Sequence, residues 1–170
     1  MNKLINTNSP DVTIRFAIED DVALILSLIK GIAEYEKLLH EVVATEELLK
    51  NNLFGERRTA EVILAFYKNE PAGFALFFHN FSTFLGKPGI YLEDLFVLPE
   101  LRGKGIGKIL LTYLGKLAIE RDCGRVEWSV LDWNEPAINF YKKLGARPMD
   151  GWTVFRVTGE AIEKLAGQFD

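Results

Sequence analysis

The stretch YLEDLFVLPELRGKGIG, Tyr91 to Gly107, holds two groups of residues able to do chemistry. Glu93 and Asp94 are adjacent carboxylates within an otherwise apolar run, and glycines recur at 103, 105 and 107 beside Arg102 and Lys104. Glycine lets the chain curl where a ligand must approach the backbone. The unpaired N–H groups of a helix start favour an anion, and arginine adds a fork that grips phosphate oxygens in parallel. The turn Arg102–Gly107 is therefore read as a phosphate or pyrophosphate site. A glycine turn that only tightens a strand–helix junction is the plainer alternative. The turn is not a Walker loop, because Gly103 and Gly107 stand one residue too close and Ile109 replaces the metal-binding hydroxyl. The dinucleotide pattern is missed too, since the third glycine comes one position early.

Strands and helices must position these groups. VTIRFA (Val12–Ala17) alternates as a strand, and the apolar stripe Val22, Leu24, Ile25, Leu28, Ile29, Ile32 predicts a helix after it. A short helix opens at Thr45, with Glu46 and Glu47 in its first turn. TAEVILAFYKNEPAGFALFFHNFS reads as two strands joined by a turn at Lys68–Pro71, and GIYLEDLFVL as a third. A long helix follows the glycines, with Ile106, Ile109, Leu110, Tyr113, Leu114, Leu117 and Ala118 on one face. RVEWSVL is a strand, NEPAINFYKKLG a helix with Pro136 near its start and Gly145 at its end, WTVFRV a last strand and GEAIEKLAG a last helix. This order predicts a mixed α/β or α+β sheet flanked by helices. The whole of 1–170 is expected as one domain, with Met1–Asp11 a loose leader.

Composition narrows the partners. The chain has 170 residues and a formal net charge of -4, which disfavours nucleic acid and suits a small cationic substrate. One cysteine, Cys123, forms no internal disulfide, and with His40 and His79 alone a structural zinc cluster is not expected. No apolar run has the length of a membrane span or signal peptide, so a cytoplasmic protein without a membrane partner is expected.

R-G-K-G-I-G satisfies the [RQ]-x-x-G-x-[GA] signature, and it arrives behind YLEDLFVLPEL with VLDWNEPAINFYKKLGA further on. With LIKGIAEYEKL and GWTVFRV, this combination resembles the GNAT superfamily of acetyl-coenzyme A-dependent N-acetyltransferases, and within it the diamine branch of spermidine/spermine and thialysine acetyltransferases. The resemblance implies a mostly antiparallel sheet with two parallel strands splayed into an acetyl-CoA cleft, and a homodimer. It implies that Arg102, Gly103, Lys104, Gly105, Ile106 and Gly107 hold the pyrophosphate. Leu95, Phe96 and Val97 would bond the pantetheine amides, with Asn134 on the cofactor and Tyr141 near its sulfur. No metal is expected.

Direct acetyl transfer needs an ammonium to lose a proton and a thiolate to gain one. Glu93 is the expected proton acceptor, through water; its ordinary pKa of about 4.3 is low for that task unless burial raises it. Tyr141 is the expected acid, with simple packing as the alternative. Adjacent strand residues face opposite sides, so Glu93 and Asp94 share a pocket only if the strand is bulged. Tyr35, Glu36, Glu93, Asp94 and Trp152 resemble acceptor-contacting positions; a solvated acidic face and core packing are the alternatives for Glu36 and Trp152. The mammalian polyamine enzymes carry an acid and a tryptophan before this strand, whereas here stand Ser82, Thr83 and Phe84. That departure leaves room for a shorter diamine or a thialysine-like amino acid. A protein or peptide acetyltransferase and an inactive coenzyme A-binding module are the competing functions.

Overall fold

The structure, a computed structural model, describes residues 3–169; Met1 and Asn2, where the expected leader begins, and Asp170 lie outside them. The chain forms two compact units, Met1–Ser129 and Val130–Asp170.

In the first unit the strands are β1 (Ile5–Asn6), β2 (Val12–Phe16), β3 (Glu61–Tyr67), β4 (Glu70–Ser82), β5 (Lys87–Val97) and β6 (Val126–Trp128). They lie side by side in chain order, antiparallel except for the parallel pair β5 and β6. Ile5 and Asn6, within the segment expected to be loose, pair with Ile14 and Thr13. The mixed, mostly antiparallel sheet flanked by helices is as the sequence predicts.

Helix α1 (Val22–Tyr35) and α2 (Glu46–Phe54) pack on one face of the sheet: Ile25, Leu28 and Leu53 meet Val62, Leu64, Phe74 and Phe96 in one buried cluster. Helix α3 (Ile106–Glu120) packs against β3, β4 and β5 and buries Leu110, Leu114 and Leu117. Val62 to Ala65 are buried without a break, as strand residues must be when both faces are covered. The β3–β4 turn has Lys68 at φ 51° and Asn69 at φ 70°, the two positive angles of a type I′ hairpin, whose twist matches that of the strands. Thr45 caps α2 by accepting from the Leu48 amide at 3.2 Å.

The second unit holds α4 (Glu135–Lys143) and α5 (Glu160–Ala166). Asn134 Oδ1 accepts from the Ala137 amide, Pro136 stands in the first turn, and Gly145 at φ 89° ends α4. There the Ala146 amide donates to the Tyr141 carbonyl and Gly145 to Lys142, the paired bonds of a left-handed helix stop. WTVFRV, expected as a strand, is irregular here. Alternation makes a sequence suitable for a ladder, but a strand exists only with a partner. Among the described residues of this unit there is no other strand.

The approach of α1 to β5 is set at Gly31. A Cβ there would lie 2.8 Å from the Phe96 ring, too close for any real contact. Gly31→Ala gains about 1 kcal/mol of helix propensity, yet the clash lifts α1 from a close-packed core. The variant is expected to melt several degrees below the parent; equal or higher thermal stability would refute this account of the glycine.

Candidate active site

Strand β5 departs from regular pairing in two ways, and both shape the site. Its ladder with β4 runs Phe77↔Leu92 and then Leu76↔Asp94, leaving Glu93 as an extra residue. This is a β-bulge, two residues opposite one. Phe74 and Phe77, three apart on β4, face opposite sides, and cross-strand partners share a side. Leu92, opposite Phe77, therefore faces one side of the sheet, while Asp94 and Phe96, opposite Leu76 and Phe74, face the side covered by α1. The bulge inverts the alternation between Leu92 and Asp94.

The second departure lies on the other edge. β6 pairs with β5 only at Ile90↔Val126, Tyr91↔Glu127 and Leu92↔Trp128. β5 continues through Glu93 to Val97 beyond the end of that register. The segment expected to receive the pantetheine, Leu95 to Val97, thus lies where the parallel pairing has stopped.

Three acids converge beside it. Asp94 is half-buried, and its pKa is pushed up to about 6 by burial first, then by the charges of Glu93 and Glu36. Glu36, the residue that ends α1, is itself raised by burial. It is held there by a helix stop in which the Leu38 amide donates to Ala33 and Lys37 to Glu34. Lys37 adopts φ 62°, a conformation that costs a non-glycine residue about 1 kcal/mol. Glu93 is exposed.

At the far end of β5 the chain makes a single 3-10 turn (Pro99–Leu101) and enters the glycine loop. Gly103 and Gly105 both have φ 80°, so each needs the freedom of glycine, and nothing lies within 4 Å of where their side chains would stand. Gly105 is the N-cap of α3 and offers no side-chain cap; the first turn's amides point out of the helix, and the bond from Ile109 to the Gly105 carbonyl is the first to close a turn. Ile106, 1% exposed, anchors this start in the core. Gly107 has ordinary backbone angles; its side-chain position would stand 3.8 Å from Val97. Arg102 extends over the Tyr35 ring at 4.3 Å and donates from Nε to the Val97 carbonyl at 3.2 Å. The Lys104 ammonium lies 5.0 Å from the centre of the Tyr67 ring. An open amide cradle with two cations fits a pyrophosphate by its donor chemistry.

The first unit therefore brings together Tyr35, Glu36, Glu93, Asp94, Leu95, Phe96, Val97 and the loop Arg102–Gly107. Asn134, Tyr141 and Trp152 belong to the second unit, where Asn134 caps α4 and Tyr141 lies on that helix. Tyr67 and Gly31 were not among the candidates, because their partners, Lys104 and Phe96, are distant in sequence. A cavity of about 480 Å³ lined by Phe16, Leu53, Phe54, Arg58, Glu61 and Arg121 lies at the opposite end of β3 from Tyr67 and shares no residue with this site.

The site is thus built on a bulged strand that leaves its parallel neighbour and on a glycine loop that opens a helix. The model of the acetyltransferase (GNAT) family matches residues 29–146. The chain is 41% identical to the thialysine N-epsilon-acetyltransferase of Sus scrofa, across 92% of this chain and 98% of that one. It is 34% identical to an L-ornithine N5-acetyltransferase of Arabidopsis thaliana, across 89% and 86%. Among solved structures, an integron cassette protein from the mobile metagenome of V. cholerae matches with a TM-score of 0.78 and 29% identity, across 92% of this chain and 98% of that chain. The protein belongs to the GNAT acetyltransferase family, close to its thialysine acetyltransferase branch.

The acid cluster has a thermodynamic signature. Held from its ordinary 3.8 to about 6, an ionised Asp94 costs the native state about 3 kcal/mol. The cost is absent where the group is protonated in both states, grows as pH rises from about 4 to about 6, and is complete above that. Asp94→Asn is thus expected to be more stable than the parent at pH 8 and about equal at pH 4 in denaturant titrations. A stability difference independent of pH would contradict the placement of the three acids.

Proposed function

We propose that the protein transfers acetyl from acetyl-CoA to a primary amine of a small cationic substrate, a diamine, polyamine or thialysine-like amino acid. The observation that carries this reading is the convergence of Glu36, Glu93 and Asp94 beside the part of β5 beyond the β6 register. A carboxylate raised by burial and by neighbouring charges, as Asp94 is, gains most from a cation, whose charge offsets both effects. An acceptor with two or more spaced ammonium groups supplies several such contacts. The thialysine and ornithine acceptors named for the relatives have this chemistry.

In this reading Glu93, exposed at the bulge, receives the ammonium proton through water, and Glu36 and Asp94 hold the cationic substrate. The freed nitrogen attacks the thioester carbonyl, and the carbon–sulfur bond breaks as the amide forms. Tyr141 donates a proton to the departing thiolate, a role supported by the WNEPAINFY segment in which it stands. The amides of Gly103 to Gly107, with Arg102 and Lys104, hold the pyrophosphate, and Leu95 to Val97 the pantetheine; Asn134 and Trp152 complete the cofactor and acceptor contacts. The elevated Asp94 favours one variation, in which it takes the proton, since a base works best near the operating pH.

A panel of diamines, polyamines, ornithine, thialysine and peptide amines, with product identification, tests the acceptor class. Turnover is expected with the small cations; turnover confined to peptides, or tight CoA binding without amine-dependent thiol release, would overturn the reading. Glu93→Gln is expected to lower kcat by about 100-fold; an equal loss in Asp94→Asn alone would move the base to Asp94. Tyr141→Phe is expected to slow the chemical step in single-turnover measurements while CoA binding is retained.

A further inference from the structure

Tyr35 resembles an acceptor-contacting residue by its place in the sequence, yet its ring is turned to other work. The Arg102 guanidinium lies 4.3 Å from the centre of that ring and 5.8 Å from the centre of the Phe96 ring. Its Nε donates to the Val97 carbonyl at 3.2 Å. The hydrogen bond uses one nitrogen of the guanidinium. Its two terminal nitrogens, the pair that grips phosphate oxygens in parallel, make no hydrogen bond among the described residues.

The reach of Tyr35 follows from the packing of α1. Gly31 lets the helix sit directly on the Phe96 ring, and Tyr35, four residues on, emerges from the same helix face. Phe96 in turn is brought to the α1 side by the inverted alternation after Glu93. One aromatic residue of β5 and one of α1 thus flank a loop arginine that the glycine turn alone would leave mobile.

We propose that Tyr35 is a positioning residue for the donor half of the reaction: it holds Arg102 with its fork presented to the cofactor's phosphates. The proposal rests on the acetyl-CoA reading of the loop. An unrestrained arginine loses much of its rotamer freedom when it grips a phosphate; one already stacked and bonded has lost it beforehand, and the affinity rises accordingly. The contact also joins the two halves of the site, since Tyr35 serves the anion and its neighbour Glu36 the cation.

The test is the Kd for CoA, measured by calorimetry on the full chain for the parent, Tyr35→Phe, Tyr35→Leu, Tyr35→Gln, Arg102→Ala and the double variant Tyr35→Leu/Arg102→Ala. Tyr35→Leu and Tyr35→Gln are both made so that one folded variant, checked by thermal melting, suffices. Loss of the ring is expected to weaken CoA binding about fivefold, the size of a partly exposed cation–π contact. Tyr35→Phe, which keeps the ring, is expected to bind within about twofold of the parent. The double variant is expected to bind no more weakly than Arg102→Ala, because the ring acts only through the arginine. Unchanged CoA binding in Tyr35→Leu with a raised amine KM, or losses that multiply in the double variant, would overturn the assignment while the transferase reading stands. A parent chain with no affinity for CoA would overturn both.

Discussion

One extra residue in β5 carries most of the consequences in this molecule. Leu92 is packed against one layer of the core and Phe96 against the other, although four residues of regular strand would return the side chain to the same side. Glu93 absorbs the mismatch. Because the phase is inverted there, Asp94 is delivered to the side where α1 ends, and a carboxylate is placed under the influence of two others. Core packing on both sides of the bulge holds it in register, since a slip by one residue would expose Phe96 and bury a charge in the opposite layer.

The site that results has two ends of opposite demand on one strand. Toward Glu93 the native state bears unrelieved negative charge, which burial keeps from being solvated. Toward Gly105 it bears the uncapped amides of α3 and two basic side chains, with no carboxylate bonded to either among the described residues. Ligands of complementary charge satisfy both ends. Stability is given up at the acid end: the Asp94 carboxylate is disfavoured when ionised, and Lys37 adopts a left-handed angle to end α1 at Glu36. Helix α1 is the element common to both ends, with Glu36 at the acid cluster and Tyr35 at the arginine.

The glycine loop illustrates how a short pattern acquires meaning. Gly103 and Gly105 are required by their backbone angles and Gly107 is not, so the three alternate glycines do different work. Arg102 is not simply a charge beside the loop; its direction is given by a strand carbonyl and an aromatic ring. The family match across residues 29–146 places both the acids and the loop inside the shared region.

Local order was legible in the residues themselves. The stripe of α1, the Thr45 cap, a turn within Lys68–Pro71, the glycine loop at a strand–helix junction and the Pro136 and Gly145 punctuation of α4 all depend on neighbours a few positions away. Periodicity and capping act over that range, so sequence alone determined these elements and the chemistry of the two residue groups in Tyr91–Gly107. The bulge at Glu93, the end of β6 pairing at Trp128, the Gly31–Phe96 approach and the stacking of Arg102 on Tyr35 were decided only by the tertiary structure. So was the irregular course of WTVFRV, whose alternation promised a strand without naming its partner. Each depends on which segments meet across the fold, and a strand's register or an arginine's direction has no value until that second surface is present.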